Sequence, residues 1–256
     1  MVWSVKQSAL EVLKGNWFKV IGIIFVCYMI KVFLGTSRSS WNISSDGVSM
    51  TPLVLASSEN ILVIIAAAFF NSILFFAIVD LISHIKFNSG KKFFSAFIYS
   101  FKNPSLLYKG FIINAISSLV IFFFWLTSVI TLLNLLYVML EGFQTDDIMK
   151  FFFVLLIPIA LLWVFLGLSQ AMYILYEDPK TNVIKCVIRS FKMMNGNRWS
   201  LIGLYVSFVL WFFLGLIALV VGLLASLAFF EVSRFEYFQM LKRKERQKQW
   251  QGYFES

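Results

Sequence analysis

Charge is what this chain has least of. Only 14% of its 256 residues are Asp, Glu, Lys or Arg, against about a quarter in an ordinary soluble domain. A water-soluble fold of this size needs more polar side chains to cover its surface, so an ordinary soluble enzyme is excluded. Histidine occurs once, as His84, and cysteine twice, as Cys27 and Cys186. One histidine leaves no His/Cys cluster for zinc and no HExxH pair, and no Ser–His–Asp set is readable around it. Two cysteines, one in an apolar run and one in a polar connection, make no disulfide framework. A GxxxxGK[ST] phosphate loop is missing too. The Gly-Asn pairs at 15–16 and 196–197 sit beside tryptophan, where their simplest role is to end one helix and begin the next. These absences predict a protein that is not an enzyme and holds no metal and no cofactor.

What is present is apolar. Sixty per cent of the residues are hydrophobic and 30 are Phe, which excludes a disordered chain and points to lipid as the solvent. Apolar runs fall at about 17–34, 61–82, 111–140, 151–176 and 201–241. A membrane helix needs roughly 20 apolar residues, so the last run is too long for one span. Breaking it near 219–222, beside Gly222, gives spans at 201–219 and 221–241 and a total of six. The fold class expected is all-α, a polytopic membrane bundle over 1–241, followed by a basic tail over 242–256. The polar lead up to Lys19 and the Lys31 inside the first run argue against a cleavable signal peptide.

The scarce charge is unevenly placed. Of 22 basic residues, 19 fall on one side of the six-span topology and three, Lys31, Arg38 and Lys150, on the other. Lys and Arg gather in cytoplasmic loops, so both termini are predicted to be cytoplasmic. The Ser-rich segment 35–60 and the acidic segment 141–150 are then external.

Three segments that precede the odd-numbered spans share one apolar pattern. Val5, Ala9, Leu10 and Leu13 are followed by Lys14. Phe93, Phe94, Phe97, Ile98 and Phe101 are followed by Lys102. Val183, Ile184, Val187, Ile188 and Phe191 are followed by Lys192. Offsets of 88 and then 90 residues separate the copies. The spacing is one face of a helix with basic residues beside it, which suits a helix lying in the inner interface against anionic lipids. Trp17, Trp199, Lys14, Lys102 and Lys192 are the expected interfacial anchors. The predicted plan is therefore three repeats, each an amphipathic surface helix and two spans.

Polar residues inside the spans are the remaining candidates. Asp80, Gln170, Glu231 and Arg234 form the candidate intramembrane site, with Asn71, Asn114 and Asn134 as further polar positions. Ionisable groups in lipid are costly and face the bundle interior or water. Glu231 and Arg234 are spaced i, i+3, and Asp80 and His84 i, i+4, so each can pair on its own helix. A polar pathway and a structural pairing both fit this spacing. Pro158, inside the fourth span, is expected to kink it.

Residues Tyr173-Ile174-Leu175-Tyr176-Glu177-Asp178-Pro179, then Ser190-Phe191-Lys192-Met193-Met194-Asn195-Gly196-Asn197-Arg198-Trp199, then Leu204-Tyr205-Val206-Ser207-Phe208-Val209-Leu210-Trp211, form a signature. It resembles that of the domain-of-unknown-function 975 family of bacterial integral membrane proteins. Leu13-Lys14-Gly15-Asn16-Trp17 and Ile157-Pro158 are similar to further parts of that family. The Pro-Tyr pair of the family's last span is absent. The resemblance implies a bacterial plasma membrane and brings no catalytic residues.

The function expected is a non-enzymatic plasma-membrane protein, a binding or accessory module for a lipid, a hydrophobic peptide or a membrane partner. Its partners would be the bilayer, anionic lipids at the cytoplasmic face and a membrane protein or ATPase, with no nucleic acid. One alternative is a transporter or permease subunit, such as a small exporter with a separate ATPase. The other is an immunity protein against a membrane-active peptide.

Overall fold

A computed structural model of the chain describes residues 1–36, 41–44, 47–50, 58–87, 98–99, 101, 103–141 and 145–254. The helices are α1 (Val2–Leu13), α2 (Trp17–Thr36), α3 (Ser58–Lys86), α4 (Pro104–Glu141), α5 (Thr145–Leu168), α6 (Ala171–Glu177), α7 (Val183–Met194), α8 (Arg198–Ile217) and α9 (Leu219–Phe254). The protein is all-α, as expected. Its one piece of sheet among the described residues is a hairpin between α2 and α3, β1 (Trp41–Ser44) antiparallel to β2 (Gly47–Met50), with Trp41 opposite Met50.

Four described segments are long and apolar enough to cross a membrane: 68–86, 104–137, 154–177 and 198–217. The pair α1 and α2 makes a fifth if it crosses as one broken span, bent by 100°. The protein is a multi-pass membrane protein on this ground.

Helix ends differ from the apolar runs in three places, each for a local reason. The fourth run, expected to be one span over 151–176, is interrupted between Leu168 and Ala171. Gln170 is buried there; its backbone N–H donates to Ser190 Oγ at 3.2 Å, and Ser190 Oγ in turn donates to the Gly167 carbonyl. A serine on α7 thus supplies hydrogen bonds that an unbroken helix would have made itself. The last long run turns at Ala218 rather than at 219–222. Beyond it α9 runs unbroken to Phe254, so the basic segment from Lys242 extends the last helix; Lys, Arg, Glu and Gln are all good helix formers. The α8–α9 hairpin closes tightly because Gly215 and Gly222 face each other: a Cβ on Gly215 would lie 2.8 Å from the Gly222 carbonyl oxygen.

The segments before α2 and α8 share one backbone. Both α1 and α7 have 12 residues. Gly15 has φ +79° and Gly196 +77°, the left-handed region glycine enters freely. Asn16 N–H then donates to Leu13 O at 2.9 Å, and Asn197 N–H to Met194 O at 3.0 Å. This superposition places Gly15 on Gly196 and Leu13 on Met194. The apolar spacing had matched Leu13 with Phe191, three residues earlier, because it followed the flanking lysines. Packing explains the shift: Cys186, Ser190, Met193 and Met194 are the buried side of α7, while Ile184 and Ile188 are 73% and 62% exposed. The stripe read from sequence thus straddles the two sides of α7. The middle copy, 93–101, lies almost wholly outside the described residues.

The core forms around α9. Ala228, Phe229, Val232, Phe235, Tyr237, Phe238 and Leu241 are all buried, packed among Ile23, Ile24 and Cys27 of α2, Phe76 of α3 and Tyr173 of α6. A helix buried on every side is a central one. The α4–α5 pair joins this core through Leu106, Ile113 and Leu166, while Leu119, Trp125, Leu133 and Leu140 of α4 are all more than half exposed.

Candidate functional site

Polar residues of α9 reach every neighbouring element at one end of the bundle. Glu231 accepts from Tyr28 Oη of α2 at 3.0 Å and pairs with Arg234 Nη1 of its own helix at 3.2 Å. The Arg234 guanidinium lies over the Phe230 and Tyr173 rings, 5.6 and 6.0 Å from their centroids. Such stacking suits the weakly hydrated guanidinium. Five residues on from Glu231, Glu236 takes Lys86 Nζ of α3 on both carboxylate oxygens, at 2.6 and 2.8 Å. Tyr237 Oη donates to the Asn197 carbonyl at 2.8 Å. Further out, Lys242 pairs with Glu177 at 2.6 Å, and Glu245 accepts from Arg189 Nη2 of α7 at 2.9 Å. That hydrogen bond holds the Arg189 guanidinium above its usual pKa.

A second group sits on α3 and α6. Asp80 is buried; it pairs with His84 Nε2 at 3.1 Å and accepts from Tyr176 Oη at 2.9 Å. The Tyr176 ring lies 5.5 Å from that of Tyr99. Glu231 and Asp80 therefore each keep one partner on their own helix and one tyrosine from another. Each carboxylate thus has directed contacts in place of its lost hydration, which low-dielectric surroundings require.

Both local pairs expected from spacing are present. The four candidates do not form a single cluster of direct contacts. Gln170 stands apart, its Nε2 donating to Ser169 Oγ at the α5–α6 break. Of the expected anchors, Trp199 is 74% exposed, and Lys14 and Lys192 are exposed. Trp17 is half-buried and packs against the core, and Lys102 lies outside the described residues. Both cysteines are free and buried, Cys186 included, although it was expected in a polar connection. Sequence reasoning missed Tyr28, Tyr176, Lys86 and Glu236. The readable signal was Glu236 itself, a second carboxylate in the last span that needed a counter-charge.

An open cleft of about 1080 Å³ lies at the same end, between the Gly196 turn and the outer part of α9. Lys192, Asn195 and Asn197 line one wall, and Lys244, Lys248 and Trp250 the other. Among the described residues, no group of three or more His, Cys, Asp or Glu side chains is placed to hold a metal ion.

A family model described as "Protein of unknown function (DUF975)" matches residues 2–245. The chain belongs to that family. The match spans nearly the whole chain, so the α9 pairs, the Asp80 group and most of the cleft lie within the DUF975 region. No curated protein and no solved structure matches the chain.

Proposed function

We propose that this DUF975 protein is a non-enzymatic accessory module of a bacterial plasma membrane, binding a lipid or a membrane partner. In this reading it crosses six times with both termini in the cytoplasm. Its plan is three units, each a surface helix followed by two spans. The observation that carries the reading is that the buried carboxylates are held by partners within the bundle: Glu231 by Tyr28 and Arg234, Asp80 by His84 and Tyr176, and Glu236 by Lys86. A carrier coupled to protons needs a carboxylate that loads and unloads. These carboxylates tie helices together, as a scaffold requires. The likeness of the Gly15 and Gly196 turns supports the repeated plan. The exposed Ile184 and Ile188, next to the exposed Lys185 and Arg189, support a place for α7 in the interface.

The test is reconstitution of the purified protein into liposomes holding a pH-sensitive dye, under an imposed proton gradient. The expected result is the same leak with and without protein. A protein-dependent proton flux that disappears in Glu231→Gln or Asp80→Asn, in protein that keeps its melting temperature, would make it a transporter instead.

A further inference from the structure

The cleft beside the Gly196 turn has a composition that the bundle's internal pairs do not explain. Its charged lining is Lys192 on the α7 side and Lys244, Glu245 and Lys248 on α9. The single carboxylate, Glu245, is engaged by Arg189 at 2.9 Å. Lys192 and Lys248 have no carboxylate partner among the described residues. Among the described residues, the hydrogen-bond partners of Lys244 are the Asn197 side-chain oxygen and Met1 Sδ, at 3.3 and 3.2 Å. Leu241, Lys244, Glu245 and Lys248 follow i, i+3, i+4, i+7 spacing, so one face of α9 forms the wall. The remaining lining is amide-rich, with Asn195, Asn197, Gln247 and Gln251, and Trp250 beside them is 65% exposed. Such a cleft offers net positive charge, neutral hydrogen-bonding groups and an indole.

Its position selects the kind of anion. Asn197 directly precedes α8, and Leu241 is the last buried apolar residue of α9 among those whose side chains are described. The cleft therefore opens where both helices leave the apolar part of the bundle. Past Asn197, α8 exposes a broad apolar face that includes Trp199, Val206, Leu210, Leu214 and Ile217, between 61% and 80% exposed, on the side away from the buried Leu204 and Phe208. The cleft thus lies at the edge of the apolar layer in which such a face is accommodated, where a lipid keeps its chains and a free anion gains nothing from the position.

We propose that the cleft binds the headgroup of an anionic phospholipid. The phosphate would sit between Lys192 on one wall and Lys244 and Lys248 on the other, the asparagine and glutamine amides would meet headgroup hydroxyls, and the acyl chains would enter the apolar layer that α8 crosses. The inference deepens the accessory reading, since it rests on α8 crossing the membrane, and it names the lipid that reading leaves open.

The experiment is native mass spectrometry of the full-length protein in neutral detergent, with phosphatidylglycerol or phosphatidylcholine added. The wild type is expected to retain phosphatidylglycerol over phosphatidylcholine. Lys192→Gln/Lys244→Gln/Lys248→Gln should lower phosphatidylglycerol retention by at least about tenfold and leave phosphatidylcholine unchanged. The charge-matched variant Lys180→Gln/Lys185→Gln/Arg246→Gln, with exposed side chains outside the cleft, should retain it like the wild type. Lys248 is exposed and makes no hydrogen bond or ion pair among the described residues, so Lys248→Gln alone should give a partial loss even if the triple variant does not fold. Equal loss in the charge-matched variant, or no loss in Lys248→Gln and the triple variant, overturns the site. Displacement by glycerol phosphate as readily as by the whole lipid overturns the lipid assignment in favour of a soluble anion. None of these results depends on proton flux, so the cleft can fail while the accessory reading stands, and the reverse.

Discussion

Among the buried residues, Glu231 carries the most. It has an arginine one turn along α9 and a tyrosine hydroxyl from α2. Removing one partner of a buried pair strands the other charge, and that is worth more than the pair itself. Arg234→Leu should therefore destabilise the protein by about 3–5 kcal/mol, read from unfolding in mixed detergent micelles. Glu231→Leu/Arg234→Leu should recover most of that loss; a double variant as unstable as the single one would show that the two side chains do not act as a pair. At Gly196 the constraint is the backbone. An alanine there meets open space but must adopt φ +77°, so Gly196→Ala should cost about 1–2 kcal/mol, and Gly15→Ala about the same. A melting temperature unmoved by either substitution would mean that the turn tolerates another conformation. The sequence makes the i, i+3 and i, i+4 pairs legible because they are set by helix geometry alone. Tyr28, Tyr176 and Lys86 were not legible as partners, since they come from other helices and depend on how those helices pack.

Among the helices, α9 is the spine, and its polar extension ties the surface elements to the bundle. Lys242 holds Glu177 at the end of α6, Glu245 holds Arg189 of α7, and Lys244 touches Asn197. Each is a partly exposed contact of well under about 1 kcal/mol, so their loss should loosen α7 without unfolding the core. Truncation after Leu241 is expected to speed amide exchange across Val183–Met194 and to leave the buried part of α3 protected. Uniform loss of protection would mean that the extension supports the whole bundle. The turn before α7 has its own pH dependence. The Thr181 hydroxyl, then the Lys180 N–H, hold the exposed Asp178 carboxyl below its usual range. A depressed folded-state pKa contributes stability that is full above the unfolded value and is lost as pH falls through the folded one. Exchange at 178–182 should therefore stay constant from neutral pH and quicken only below the ordinary carboxylate range, and Thr181→Ala should move that onset upward. Apolar runs located nearly every long helix but not their ends. The α5–α6 break depends on Ser190, 20 residues beyond Gln170, and the continuation of α9 past Leu241 follows helix propensity where a change of composition suggested a separate tail.

For the molecule as a whole, the question is which end faces the cytoplasm. Contacts gather the N-terminus, the end of α3, the end of α6, α7 and the outer part of α9 at one end, since Lys244 touches Met1, Lys86 reaches Glu236, Lys242 reaches Glu177 and Arg189 reaches Glu245. Lys109, near the start of α4, joins them by donating to the Pro179 and Lys180 carbonyls. This is the end to which the proposed six-span topology assigns 19 of the 22 basic residues, and under that topology the positive-inside bias predicts that it faces the cytoplasm. Helix lengths bear on the same point. At 1.5 Å per residue α8 is about 30 Å long, matching a hydrocarbon core, while α4 is about 57 Å. With Lys109 anchored at the basic end, the excess length of α4 must tilt or emerge at the other, beside the exposed Leu140. A reporter fused after Ser58 should accordingly read outside and one fused after Gly90 inside. Reversed signals would invert the molecule and break the link between basic residues and the inner leaflet on which the lipid cleft depends. Matching signals from the two fusions would leave orientation open to α2 and α9 but would remove α3 as a crossing helix, and with it the proposed even number of passes that would bring both ends of the chain to one face.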